Sequence, residues 1–120
     1  VKKDYFIKGD SEQLNRVFIN LIKNSLEAIQ EKKQKVPNLQ GKIDVEINSN
    51  NEYIVIKMLD NGIGFNDVKN ITKPYFTTKK EGTGLGLPIV TKIINEHSGD
   101  INFVKNSKGA EIIISLPIFS

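Results

Sequence analysis

The sequence has no cysteine and a single histidine, His97. The first absence excludes disulfide scaffolds, thiolate zinc sites and cysteine nucleophiles. The second excludes a metal centre of clustered histidines and argues against a Ser-His-Asp triad. No apolar run approaches the ~18 residues of a membrane span, and no segment has the layout of a signal peptide. Charge of one sign is also scarce: 17 Lys and Arg against 14 Asp and Glu leave a net +3. The two basic runs, Glu31-Lys32-Lys33-Gln34-Lys35 and Thr78-Lys79-Lys80, lack the interleaved aromatics of a single-strand nucleic-acid groove. The first reads as a solvated helix end. Internal repeats and low-complexity segments are absent. What remains is 120 residues, 38% hydrophobic and 26% charged, the balance of one soluble globular domain spanning 1–120. A chain that opens on Val1 rather than Met reads as a piece of a longer protein.

Hydrophobic spacing orders the elements. Tyr5-Phe6-Ile7 reads as a short strand ended by Gly9-Asp10. Asp10 with Gln13 has the form of a capping box and starts a helix. Leu14, Val17, Phe18, Leu21, Ile22, Ala28 and Ile29 continue it at helical spacing, as far as the polar loop at Pro37-Asn38. Ile43, Val45 and Ile47 alternate with Asp44 and Glu46, the pattern of a half-buried strand. Tyr53 to Leu59 is apolar on both faces and so reads as a central strand. From Asp60 to about Gly84 the periodicity is weak, and a loop of that length is expected to be functional or mobile. Leu87 to Glu96 returns to helical spacing. Pro88 is tolerable only in the first turn, and Ser98-Gly99 closes the helix. Ile101 to Val104 and Glu111 to Leu116 form a hairpin around Asn106-Ser107-Lys108-Gly109. Hairpin strands separated by helices imply an α+β fold, with an antiparallel-rich sheet and helices on one face.

Three groups of residues carry chemistry. Asn20 and Asn24 lie one helical turn apart, beside the apolar arc of the first helix. Asn is a poor helix former, yet its amide oxygen suits a hard cation whose other ligands are phosphates; two surface amides are the plainer alternative. Asp60-Asn61-Gly62-Ile63-Gly64 follows the central strand. A carboxylate at a buried strand end needs a donor, which the exocyclic amine of a purine supplies. The glycines allow a sharp turn and close approach, though a simple Asp-Asn-Gly turn has the same letters. Gly82-Thr83-Gly84-Leu85-Gly86-Leu87 precedes the second helix. It offers successive backbone N–H groups and a helix N-terminus to phosphate. It lacks the Lys-Ser/Thr of a P-loop and the spacing of a dinucleotide fingerprint, and alone it could equally be a hinge.

In this order the three resemble the ATP-binding catalytic domain of sensor histidine kinases, in the GHKL ATPase superfamily. Leu14 to Ala28 looks like the N box, Asp60 to Gly64 the G1 box, Gly82 to Leu87 the G2 box and Gly109-Ala110 the G3 box. Thr72-Lys73-Pro74-Tyr75-Phe76-Thr77-Thr78-Lys79 looks like the F box and lid of NtrY-type kinases. The resemblance covers essentially the whole chain. It implies a two-layer α/β sandwich of the Bergerat type, with a mixed, mainly antiparallel sheet.

It further implies that Asn24 binds Mg²⁺, that Asn20 contacts the metal-phosphate group, and that Asp60 accepts a hydrogen bond from the adenine amine. Gly62 and Gly64 would shape the pocket wall. Gly82, Thr83, Gly84, Leu85, Gly86 and Leu87 would cradle phosphate, while Thr77, Thr78 and Lys79 close over the nucleotide. By the same resemblance the function is that of an ATP-dependent protein histidine kinase of a two-component signal-transduction system. It positions ATP·Mg²⁺ for transfer to a histidine on a separate dimerisation domain. No catalytic residue then lies in this chain, the fragment is monomeric, a response regulator acts downstream, and nucleic acid is no partner. The expected location is cytoplasmic, within a longer protein of a kind often anchored in a membrane. The pattern departs from the family at Thr72, where an aromatic is usual, and at Ala110, where Thr is frequent. Superfamily members that hydrolyse ATP carry a Glu general base where this chain has Asn20. An amide cannot take the proton of an attacking water, so transfer rather than hydrolysis is expected. His97 matches the family's structural helix stop. An anti-sigma-factor-type kinase phosphorylating serine, and a nucleotide-sensing module without transfer activity, are the alternatives.

Overall fold

A computed structural model describes residues 11–64, 86–106 and 108–118. The expected strand at Tyr5-Phe6-Ile7 and the lid segment 65–83 lie outside them. The order is α1 (Ser11–Lys35), β1 (Ile43–Ser49), β2 (Tyr53–Asp60), α2 (Gly86–Glu96), β3 (Asp100–Asn106) and β4 (Gly109–Pro117). Among the described residues four strands form one sheet in the order β1-β2-β4-β3, and every pairing there is antiparallel. This is the α+β arrangement expected, and β2 is central as its two apolar faces require.

Alternation along the strands sends one set of side chains to the helices. Met58 of β2 lies across from Ile112 of β4, and Ile56 across from Ile114. Met58, Ile112, Ile114 and Leu116 pack with Val17 and Leu21 of α1 and with Val90, Ile93 and Ile94 of α2. Val17, Leu21, Val90 and Ile94 are fully buried, so the two helices close one face of the sheet. The opposite face is only half-buried and carries an ion pair, Lys57 to Glu111 at 3.6 Å.

One expectation fails. Val45 and Ile47 of β1 register with Met58 and Ile56, so they point to the helix side. They nevertheless remain 52% and 60% exposed. The helices pack over β2, β4 and β3, and in β1 the core reaches only Ile43, its first residue. Alternation therefore located the face correctly but overstated its burial.

The end of α2 explains Ser98 and His97. The Ser98 amide donates to the Asn95 carbonyl at 3.0 Å, and the Gly99 amide to the Ile94 carbonyl at 3.0 Å. This is a Schellman close. Its left-handed residue is Ser98, at φ 60°, not a glycine. His97 adds a ring hydrogen bond: Nδ1 donates to the Ile93 carbonyl at 2.8 Å, since a carbonyl can only accept. His97 thus has the capping role expected of it. A side chain in the left-handed region costs about 1–2 kcal/mol, partly offset by the greater freedom of glycine in the unfolded chain, about 0.4–1 kcal/mol. Ser98→Gly should therefore stabilise the domain by about 0.5 kcal/mol, read as a small rise in melting temperature. A fall would mean that the serine hydroxyl contributes more than its backbone strain costs.

Candidate functional site

The site is built where β2 ends. The last β1–β2 pair is Ile43 with Asp60, and the chain then turns through Asn61 to Gly64. Asp60 is 8% exposed. Its Oδ1 accepts the Gly62 amide at 2.9 Å and the Ala110 amide at 3.4 Å. Hydrogen bonds to a charged group contribute about 1.5–3 kcal/mol each, enough to hold a carboxylate at such a depth. Both bonds end on one oxygen. Among the described residues Oδ2 takes no hydrogen bond, so the carboxylate keeps an oriented acceptor for a donor arriving from outside.

Backbone contacts lock this turn to two other elements. The Ile63 amide donates to the Ala28 carbonyl of α1 at 3.2 Å. A Cβ on Gly62 would sit 2.6 Å from the Ala28 carbonyl carbon and 2.7 Å from its Cβ. A Cβ on Gly109, at the start of β4, would sit 2.1 Å from the Asp60 carbonyl oxygen. Gly64 has φ +79° and faces the Gly109 carbonyl. Glycine is needed at 62 and 109 because backbone meets backbone there. The hairpin turn is tied to α1 as well, Lys32 Nζ donating to the Lys108 carbonyl at 3.4 Å.

Ala28 faces Gly62, and residues four apart on a helix share a face. Asn24 and Asn20 thus lie one and two turns before Ala28 on that face, at about 6 Å per four-residue step. Both are half-buried. Helix α1, the D-x-G-x-G turn and the Gly109-Ala110 start of β4 therefore meet at one end of the sheet. Gly86 is the first residue of α2, and Leu87 is partly buried against the core. Thr77, Thr78, Lys79, Gly82, Thr83, Gly84 and Leu85 lie outside the described residues. Among the described residues no three His, Asp or Glu side chains gather as a metal site. A divalent cation here would need amide oxygen and phosphate as ligands, which fits the donor type of Asn24.

Sequence reasoning missed one residue. Asn61 reads as turn filler, yet its Oδ1 accepts the Lys42 amide at 2.8 Å and its Nδ2 donates to the Gln40 carbonyl at 2.8 Å. Nothing local in the sequence could have revealed partners about twenty positions upstream.

Residues 9–119 match the family described as histidine kinase-, DNA gyrase B- and HSP90-like ATPase. The chain belongs to this ATPase family. Sporulation kinase B of Bacillus subtilis (strain 168) is 38% identical over 117 residues, 95% of this chain and 26% of the relative. An NtrY-like sensor histidine kinase of Rickettsia bellii (strain RML369-C) is 37% identical over 106 residues, 87% of this chain and 16% of the relative. The chain thus spans about a quarter or less of the length of these two relatives. The nucleotide-free catalytic domain of the histidine kinase ThkA superposes with a TM-score of 0.77 at 30% identity, covering 92% of this chain and 71% of that one. Within the ATPase family, then, the chain is similar to the ATP-binding catalytic domains of sensor histidine kinases. Among the described residues no helix is long and apolar enough to cross a membrane.

Proposed function

We propose that this domain binds ATP·Mg²⁺ and presents the γ-phosphoryl group to a histidine on a separate dimerisation domain, as part of a two-component sensor kinase. The observation that carries the reading is the buried Asp60. Its Oδ1 is held by two backbone amides, and the turn that follows it packs on Ala28 of the helix that bears Asn24. Asp60 accepts the adenine amine through Oδ2. Gly62 and Gly64 form the wall beside the base, and Asn20 and Asn24 lie toward the phosphates. Gly82 to Leu87 supply amides to phosphate, with Thr77, Thr78 and Lys79 closing over it.

When bound, Mg²⁺ would be held by Asn24 and the phosphates and would neutralise charge that otherwise opposes attack. In the transfer the bond from the γ-phosphorus to its bridging oxygen breaks, and ADP leaves with that electron pair. A bond from phosphorus to an imidazole nitrogen of the acceptor forms. The attacking nitrogen is the unprotonated one, and the proton on the other ring nitrogen goes to a base outside this chain. What this domain supplies is position and charge compensation. Asn20 stands where hydrolysing superfamily members carry a Glu base, which favours transfer over loss to water. The phosphorylated histidine would then feed a response regulator, with the domain working in the cytoplasm where ATP is available.

Titration with a non-hydrolysable ATP analogue, with and without Mg²⁺, tests the reading. Binding that tightens with Mg²⁺ is expected, and absence of binding in both conditions overturns it. Asn24→Ala should erase most of the Mg²⁺ enhancement while leaving the Mg²⁺-free affinity within about threefold, because it removes one metal ligand and no base contact. Labelled ATP mixed with the cognate histidine domain separates a transferring kinase from a sensing module.

A further inference from the structure

We propose that Asn61 is a positioning residue for purine recognition: its side-chain amide locks the α1–β1 connection to the end of β2 and so sets where Asp60 meets the base. This rests on the reading of Asp60 as acceptor for the adenine amine.

Three bonds make the lock. The Asn61 amide donates to the Lys42 carbonyl at 3.2 Å, its Oδ1 accepts the Lys42 amide at 2.8 Å, and its Nδ2 donates to the Gln40 carbonyl at 2.8 Å. The β1–β2 ladder ends at Ile43 and Asp60. The side chain of Asn61 continues it by two hydrogen bonds to a strand that has already stopped. A primary amide is suited to this because it offers an acceptor and a donor side by side, like a peptide group.

What the lock constrains matters more than its own stability. Asp60 precedes Asn61 and Gly62 follows it, so the residue between the carboxylate and its own capping amide is the one held. On the other flank Asp60 is fixed by Ala110 and by the contact of its carbonyl with Gly109. The segment gripped, Gln40 to Lys42, is the return from α1, and Gly41 within it packs on Ile29 of that helix. Asp60 is therefore clamped between β4 on one side and the α1 return on the other. Release of the Asn61 side frees the carboxylate to tilt relative to the helix that carries Asn24.

The test compares two nucleotides that differ only at the purine amine: ATP and purine-riboside triphosphate, which has hydrogen in that position. The wild-type chain should prefer ATP by about tenfold or more, as one hydrogen bond to a charged acceptor implies. Asn61→Ala should shrink the preference to about threefold or less, by weakening ATP while purine-riboside triphosphate binds nearly as before. Asn61→Asp keeps the acceptor for Lys42 but sets an oxygen against the Gln40 carbonyl, and should fall between the two. It also decides the matter if the alanine variant does not fold. Equal weakening of both nucleotides, or an unchanged preference, overturns the proposal by leaving Asn61 a structural role or none. A wild-type chain that binds ATP without preferring it overturns the reading of Asp60 itself, and this inference with it. The wild-type measurement alone thus separates the two failures.

Discussion

Asp60→Asn should lower affinity for an ATP analogue at least about a hundredfold while the domain stays folded. The substituted amide can keep Oδ1 toward Gly62 and Ala110, so the two bonds that anchor the turn survive. Its other atom becomes an NH₂ group. Toward the purine amine the site then presents a donor to a donor. Loss of a charged acceptor costs about 1.5–3 kcal/mol, and a buried donor left unsatisfied about 1–3 kcal/mol more. Their sum, about 2.5–6 kcal/mol, starts near the roughly 2.8 kcal/mol of a hundredfold at about 1.4 kcal/mol per decade. Calorimetric titration beside a thermal melt checks both halves of the expectation. Retained affinity with an unchanged melt would remove Asp60 from base recognition.

Gly109→Ala should be the most damaging small substitution, lowering stability by about 3 kcal/mol, the upper end for overpacking. For a domain of this size that is a fall of roughly 10 °C in melting temperature. The added methyl would sit 2.1 Å from the Asp60 carbonyl oxygen and 2.9 Å from its carbon. Neither can swing aside, since both belong to the backbone of the central strand. Relief requires β4 to draw away from β2 beside the candidate base site, so ATP affinity should fall along with stability. Gly41→Ala is the control. Its methyl would meet the Ile29 Cγ2 at 2.7 Å, a side-chain atom able to shift, and the loss should be several times smaller. A melting temperature unchanged in Gly109→Ala would contradict the close approach itself.

Much of the fold was legible because it rests on local pattern. Helical spacing from Leu14 to Ile29 and from Leu87 to Glu96 located α1 and α2, and Pro88 and Ser98-Gly99 marked the ends of the latter. The two apolar faces of Tyr53 to Leu59 marked a central strand. The burial of β1 was misjudged because alternation reports direction, whereas exposure depends on which strands the helices happen to cover. Residue types suited to a nucleotide were legible at Asn20, Asn24, Asp60 and Gly62. Asn61 was overlooked because its partners, Gln40 and Lys42, come near only when β1 and β2 pair.

The amino-acid order by itself determined the elements, the antiparallel hairpins and the family motifs, because propensity, periodicity and glycine spacing act within a few residues of one another. Only the tertiary structure decided which oxygen of Asp60 is taken by Gly62 and Ala110, which glycines are sterically obligatory, and that Asn61 bridges to the return from α1. Apart from the Asp60–Gly62 bond, these are contacts between residues from about twenty to fifty positions apart in the chain. Such contacts exist only after the sheet has closed and α1 has packed on it, so no local pattern encodes them.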